Sequence, residues 1–133
     1  MSHVPTTRLL AVTVAAVALL GLVTPPALAR GGGDDVVRRG SCARTTDWKV
    51  KVGPEDGRLE VEGEVDSNRA GQSWRWVLLH DGSMSAHGVR TTAGRSGSFE
   101  VRRIVVDRRG TDTLTFRARN TRNGELCVGT VHF

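Results

Sequence analysis

The segment 47–66, DWKVKVGPEDGRLEVEGEVD, decides the fold class. Its first half alternates apolar residues with lysines from Trp48 to Val52, and its second half alternates apolar residues with acidic ones from Leu59 to Val65. An alternation with a period of two is typical of β-strands that bury one face. Because a Gly-Pro-Glu-Asp-Gly turn joins the two halves, the segment predicts an antiparallel hairpin.

The register of this hairpin follows from the length of its loop. A four-residue loop at 54–57 places Trp48 opposite Gly63, where the missing side chain leaves room for an indole. On the other face the two lysines of the first strand lie opposite carboxylates. Opposite charges directly across two strands stabilise each other. We therefore interpret the acidic row as a structural feature rather than a cation site; it consists of Glu60, Glu62 and Glu64.

The same alternation continues to the end of the chain. Five further runs are separated by turns rich in Gly, Asn and Asp, and they cover 74–80, 84–91, 99–106, 113–119 and 126–133. Seven short strands without a helical period predict an all-β protein, a seven-stranded antiparallel immunoglobulin-like sandwich. In that layout the third, sixth and seventh strands share a sheet.

Two strands allow a finer prediction. A loop at 121–124 pairs Phe116 with Gly129 and Ala118 with Cys127, so an aromatic residue again lies opposite a glycine. In 99–106 the apolar residues change parity at Arg102-Arg103. A β-bulge there would turn Phe99, Val101, Ile104 and Val106 inward, and a strand that crosses between the sheets is the alternative.

Residues 1–29 have the order of a cleaved secretory signal peptide. Arg8 precedes an apolar run, and Ala27-Leu28-Ala29 is a small-x-small cleavage site. The apolar run 9–23 is shorter than the roughly 20 residues of a membrane-spanning helix. We expect a mobile lead at 30–41 and the sandwich domain at 42–133, in a protein that is secreted, extracellular or associated with the cell wall, and not inserted in the membrane after cleavage.

The two cysteines fit this location. In an oxidising compartment we expect Cys42 and Cys127 to form a disulfide. The loop between them spans most of the mature domain, so the bond would stabilise the fold by roughly 4 kcal/mol.

Several function classes are not expected. The chain has no Gly-x-Ser-x-Gly elbow, and its histidines have no short metal-ligand spacing. We therefore predict no enzyme, no catalytic residues, no metal and no cofactor. The net charge of +5 is spread over arginine pairs rather than a stripe, so we expect no nucleic-acid binding. Weak attraction to an anionic envelope polymer fits the charge better.

The strand 74–80 carries the candidate site, because it is apolar on both parities. If Trp74 and Trp76 face inward, an apolar patch flanked by arginines faces outward. Such a patch on a secreted monomer marks a contact site for a protein or an anionic envelope polymer. The predicted outer residues are Arg75, Val77, Leu79, Thr115, Arg117, Arg119, Leu126 and Val128.

Two alternatives stay open at this point. If Trp74 and Trp76 face outward, they form a stacking platform for a carbohydrate or small-ligand carrier. In the second alternative, the outward residues of 74–80 are covered by their own loops or by the lead at 30–41.

The chain resembles the small secreted single-domain proteins of unknown function from high-GC Gram-positive bacteria. The resemblance rests on the leader, on the Cys42 and Cys127 frame, and on alternating segments such as 58–62 and 97–102. The chain is also similar in size and sandwich character to the apoproteins of the neocarzinostatin type. Those have two disulfides within the sandwich, whereas this chain is expected to have one, which joins the two ends of its mature domain. These resemblances imply a fold and no site residues.

Overall fold

The computed structural model describes residues 34–133, which form eight β-strands in two four-stranded antiparallel sheets. The strands are β1 (Val36–Ser41), β2 (Asp47–Glu55), β3 (Arg58–Asp66), β4 (Ser73–His80), β5 (Ser83–Thr91), β6 (Ser98–Val106), β7 (Thr113–Asn120) and β8 (Leu126–His132). The first sheet has the order β1-β2-β3-β6, and the second has the order β5-β4-β7-β8. The all-β prediction is confirmed. The predicted signal peptide at 1–29 lies outside the described residues.

The prediction of seven strands is wrong by one. Val36–Ser41, which we placed in the mobile lead, is β1, and it pairs with β2 along its whole length. The sequence VVRRGS does not indicate this strand, because its apolar and polar residues do not alternate. Across 34–133, no helix has the length and apolar character needed to cross a membrane.

The register of the first hairpin differs from the prediction by two residues. Its turn consists of Asp56 and Gly57 alone, and both have positive φ, 47° and 76°. Positive φ at both central residues is the requirement of a type I′ turn, which Asp-Gly satisfies well. Trp48 therefore lies opposite Val65, and Gly63 lies opposite Val50.

The charged face of that hairpin keeps its alternation in the new register. Lys51 lies opposite Glu62, with 3.1 Å between Nζ and Oε1, and Lys49 forms an ion pair with Glu64. Arg102 on β6 joins Glu62 from the other side at 2.8 Å. The acidic row is thus held between cations of the two neighbouring strands.

Strand β6 has no bulge at Arg102-Arg103, so that prediction is wrong. It pairs with β3 without interruption. Ile104 and Val106 face outward and are 44% and 64% exposed, whereas Arg103 takes the inward position between Val101 and Val105. The guanidinium carbon of Arg103 lies 4.9 Å from the centroid of the Trp76 ring. A cation over an indole face is favourable, which explains why an arginine can occupy a core-facing position.

The sheets are joined by a reciprocal packing of aromatic rings on glycines. The Trp48 ring of the first sheet lies over Gly129 of the second, and the Phe116 ring of the second lies over Gly63 of the first. A Cβ built on Gly63 would be 2.5 Å from Cδ2 of Phe116, and one built on Gly129 would be 2.5 Å from Cε3 of Trp48. Both positions therefore need glycine.

The last hairpin has the predicted register. Phe116 pairs with Gly129 and Ala118 pairs with Cys127. The disulfide between Cys42 and Cys127 is also confirmed, and it ties the segment after β1 to β8.

A buried carboxylate supports the same end of the domain. Oε1 of Glu125, which is only 5% exposed, accepts hydrogen bonds from the backbone N–H groups of Arg44 (3.0 Å) and Thr46 (3.2 Å). Its Oε2 accepts one from the Thr46 hydroxyl at 3.0 Å. The loop between β1 and β2 is thereby closed onto the start of β8.

We predict that Gly129→Ala lowers the free energy of unfolding by about 1–3 kcal/mol, because the new methyl group overpacks the space that the Trp48 ring fills. Gly53→Ala is the matched control, since its Cβ would meet side-chain atoms of Asp35, which can rotate away. Denaturant unfolding of both variants measures the difference. Equal midpoints for the two variants would contradict the packing described above.

Candidate functional site

The outer face of the second sheet carries the predicted site. Arg75 lies opposite Arg119, and Val77 lies opposite Arg117. On the next strand Val128 lies opposite Arg117. We call this surface the arginine face, and it comprises Arg75, Val77, Leu79, Thr115, Arg117, Arg119, Leu126 and Val128. The structure brings all eight residues together on one side of three adjacent strands.

The alternation of β4 explains this placement. Trp74 is 0% exposed and Trp76 is 2% exposed, so both rings are in the core. Arg75, Val77 and Leu79, which alternate with the buried residues of β4, must then point outward. The described part of the lead does not cover this side, because Val36–Ser41 is paired into the other sheet.

The burial of the two indoles removes the position that the carrier hypothesis needs. Trp74 packs against Phe99 with 6.4 Å between ring centroids, and Trp76 lies beneath Arg103. Neither ring is open to a sugar. A stacking platform at Trp74 and Trp76 is therefore not what the structure has.

The arginines of this face lack counter-charges. Strands β4, β5, β7 and β8 contain no Asp or Glu. Within residues 34–133, the ion pairs of 4.0 Å or less involve none of Arg75, Arg117 and Arg119. Like charges directly across two strands destabilise a sheet, so the Arg75 and Arg119 pair has no structural benefit of its own.

The outer face of the first sheet is the opposite case. Burial raises the pKa of Glu62, but its hydrogen bond to Lys51 and the charges of Lys51 and Arg102 outweigh this and leave the pKa below its usual value. The same hydrogen bond raises the pKa of Lys51. Burial raises the pKa of Glu60, although the charge of Arg102 acts in the other direction. The ion pairs of Glu62 and Glu64 with cations of the neighbouring strands agree with the interpretation of the acidic row as structural.

Exposed aliphatic side chains complete the arginine face. Leu126 is 37% exposed and Val128 is 40% exposed. Together with Val77 they line a groove of about 440 Å³ that also contacts Arg75, Arg117 and Arg119. A second groove of about 430 Å³ lies on the β5 side and shares Arg75 and Val77 with the first; it is further lined by Met84, His87 and Val89. The surface is thus amphipathic, with two shallow grooves that meet along β4.

A cluster at the end of β4 was not predicted. Nε2 of His80 contacts Oδ1 of Asp112, and both residues are buried. The other Asp112 oxygen accepts a hydrogen bond from the backbone N–H of Arg108 at 3.1 Å. Asp81 accepts one from the backbone N–H of Thr113 at 2.8 Å and one from Nη1 of Arg108 at 2.9 Å. His80, Asp81 and Asp112 are close enough to share a cation, yet each carboxylate oxygen already has a protein partner. The cluster therefore acts as a link between the ends of β4 and β7.

Comparisons of the chain with protein-family models, curated proteins and solved structures return no match. The resemblance to small secreted proteins of high-GC Gram-positive bacteria therefore stays a prediction.

The link at the end of β4 generates a prediction about pH. The hydrogen bond from Thr113 and that from Arg108 lower the pKa of Asp81 in the fold. Ionised Asp81 therefore stabilises the fold above its unfolded-state pKa, about 3.9, and this contribution is lost as the pH falls through the lower folded-state pKa. Asp81→Asn should be less stable than wild type at pH 7, and the difference should shrink in acid below about pH 4.

Thermal unfolding between neutral and strongly acidic pH measures this difference. Asp56→Asn is the control, since Asp56 also has a positive φ, 47° against 48° for Asp81, and asparagine tolerates that conformation. A stability difference for Asp81→Asn that stays constant down to the lowest pH would show that the charge of Asp81 plays no part.

Proposed function

We propose that the protein is a secreted, non-enzymatic binding module that contacts an anionic partner through the arginine face, in or near the cell envelope. The partner is an acidic polymer or an acidic protein surface. The module acts as a monomer, without a cofactor, and it does not act on nucleic acid.

The strand order supports the finer assignment of the fold as immunoglobulin-like. β4, β7 and β8 share a sheet, and β3 and β6 pair in the other, with β5 added at the edge next to β4. The chain passes from one sheet to the other between β3 and β4, between β5 and β6, and between β6 and β7. Such connections between two sheets are expected of an immunoglobulin-like sandwich. β1 is then an additional strand at the edge of the first sheet.

The disulfide supports the proposed location. Such bonds persist in oxidising compartments, and the pair Cys42 and Cys127 encloses nearly all of the described domain. A signal peptide at 1–29 fits the same location. Acidic polymers of the envelope are accessible to a module outside the membrane.

One observation carries the proposed function: three arginines lie together with aliphatic side chains on a sheet whose four strands contain no carboxylate. Arginine binds carboxylates and phosphates through paired N–H donors, and it remains charged at any physiological pH. An anionic partner would supply the counter-charges that the fold does not.

We predict that the mature domain co-sediments with isolated cell envelopes at low salt and is released at high salt, because screening weakens the attraction. Replacing Arg75, Arg117 and Arg119 by Gln should abolish most of this binding. The matched control replaces three exposed arginines elsewhere, Arg58, Arg95 and Arg109, and leaves the same net charge.

The control variant should keep most of its binding if the arginine face is the contact surface. Equal losses in the two triple variants would reduce the effect to net charge and contradict the proposed site. Binding that does not respond to salt would contradict an ionic contact altogether.

A further inference from the structure

We propose that the groove between β4, β7 and β8 binds an amphiphilic anion, a single molecule with a phosphate or carboxylate group and an apolar body. This inference rests on the proposed function, since it takes the arginine face as the binding surface, and it adds a small ligand to the acidic polymer or protein partner proposed there. The groove is lined by Arg75, Val77, Arg117, Arg119, Leu126 and Val128.

The charges of the groove define the head of the ligand. Arg75 and Arg119 are direct neighbours across β4 and β7, and Arg117 is two residues from Arg119 on the same side of β7. Three guanidinium groups in this arrangement repel one another until an anion lies between them. Phosphate and carboxylate fit the paired N–H donors of arginine.

The aliphatic residues of the groove define the rest of the ligand. Across the sheet one row runs from Val77 through Arg117 to Val128, and the next runs from Arg75 through Arg119 to Leu126. Aliphatic side chains thus lie on both sides of Arg117 and on one side of Arg119. An inorganic ion or a wholly hydrophilic polymer would leave them in water, whereas a ligand with an apolar body would bury them.

The volume of the groove permits the binding of a single small molecule. Its volume of about 440 Å³ falls within the range of roughly 300–1,000 Å³ that is usual for small-molecule sites. The neighbouring groove is similar in volume but has Arg75 as its one arginine. The groove between β4, β7 and β8 is therefore the better site for an anionic head.

The test uses decyl phosphate as the probe, kept below its micelle-forming concentration, and the mature domain labelled for NMR. Inorganic phosphate supplies the charge without the chain, and decyl maltoside supplies the chain without the charge. We expect decyl phosphate to bind at least about tenfold more tightly than either, with shifts centred on Val77, Arg117 and Val128.

Two variants separate the contributions of the groove. Val77→Ser with Val128→Ser should leave the fold intact and reduce the affinity for decyl phosphate to that for inorganic phosphate. The triple Gln variant of Arg75, Arg117 and Arg119 should reduce it to that for decyl maltoside. Thermal unfolding shows that each variant is folded; if the serine variant is not, Val128→Thr replaces it.

The outcomes distinguish this inference from the proposed function. Envelope binding through the arginines together with equal affinities for decyl phosphate and inorganic phosphate would overturn the ligand class and leave the proposed function standing. Loss of both would overturn both. Saturable binding only to vesicles of anionic phospholipid, and none to monomeric decyl phosphate, would overturn the single-molecule site in favour of a lipid surface.

Discussion

The reciprocal packing of Trp48 on Gly129 and of Phe116 on Gly63 is the contact on which the rest of the structure depends. Each ring comes from one sheet and fills the space above a glycine of the other, so the two sheets fit in one relative position. Because interiors are close-packed, this arrangement leaves no room for a shift of either sheet by a residue. The same contact therefore sets which side chains of each sheet face the core.

That packing also decides what is left outside. With the indoles of β4 in the core, its outward residues are an arginine followed by two aliphatic side chains. On the first sheet the outward carboxylates of β3 form ion pairs with the lysines of β2 and with Arg102 of β6, and these pairs explain the presence of the acidic row. On the second sheet the arginines have no carboxylate on any of the four strands, and the fold does not explain them. This difference between the two faces is the physical basis for placing a binding surface on one and not on the other.

Much of this architecture could be predicted from the sequence, because alternation reports which side chains are buried. The register of the last hairpin followed from parity and loop length, and the arginine face followed from parity together with the expected placement of three strands in one sheet. The predicted register of the first hairpin was wrong because Pro54 suggested a four-residue loop, whereas Asp56-Gly57 forms a two-residue turn. The bulge predicted in β6 was wrong because we expected an arginine to point outward, whereas Arg103 points inward and lies over the Trp76 ring.

Contacts between distant residues were beyond sequence reasoning. Glu125 accepts hydrogen bonds from residues about 80 positions away in the chain, and His80 meets Asp112 across 32 positions. Residues so far apart in the chain form no sequence motif that would predict these contacts. The absence of counter-charges at the arginine face could be read from four strand sequences, but only once the sheet order had placed these strands side by side.

A double-mutant cycle on Gly63 and Phe116 tests the packing between the sheets most directly. Because Leu is smaller than Phe, Gly63→Ala should cost less free energy of unfolding in the Phe116→Leu background than in the wild type, with a coupling of at least about 1 kcal/mol. Strictly additive effects of the two substitutions would contradict the contact between this ring and this glycine, and with it the account of how the two sheets are held.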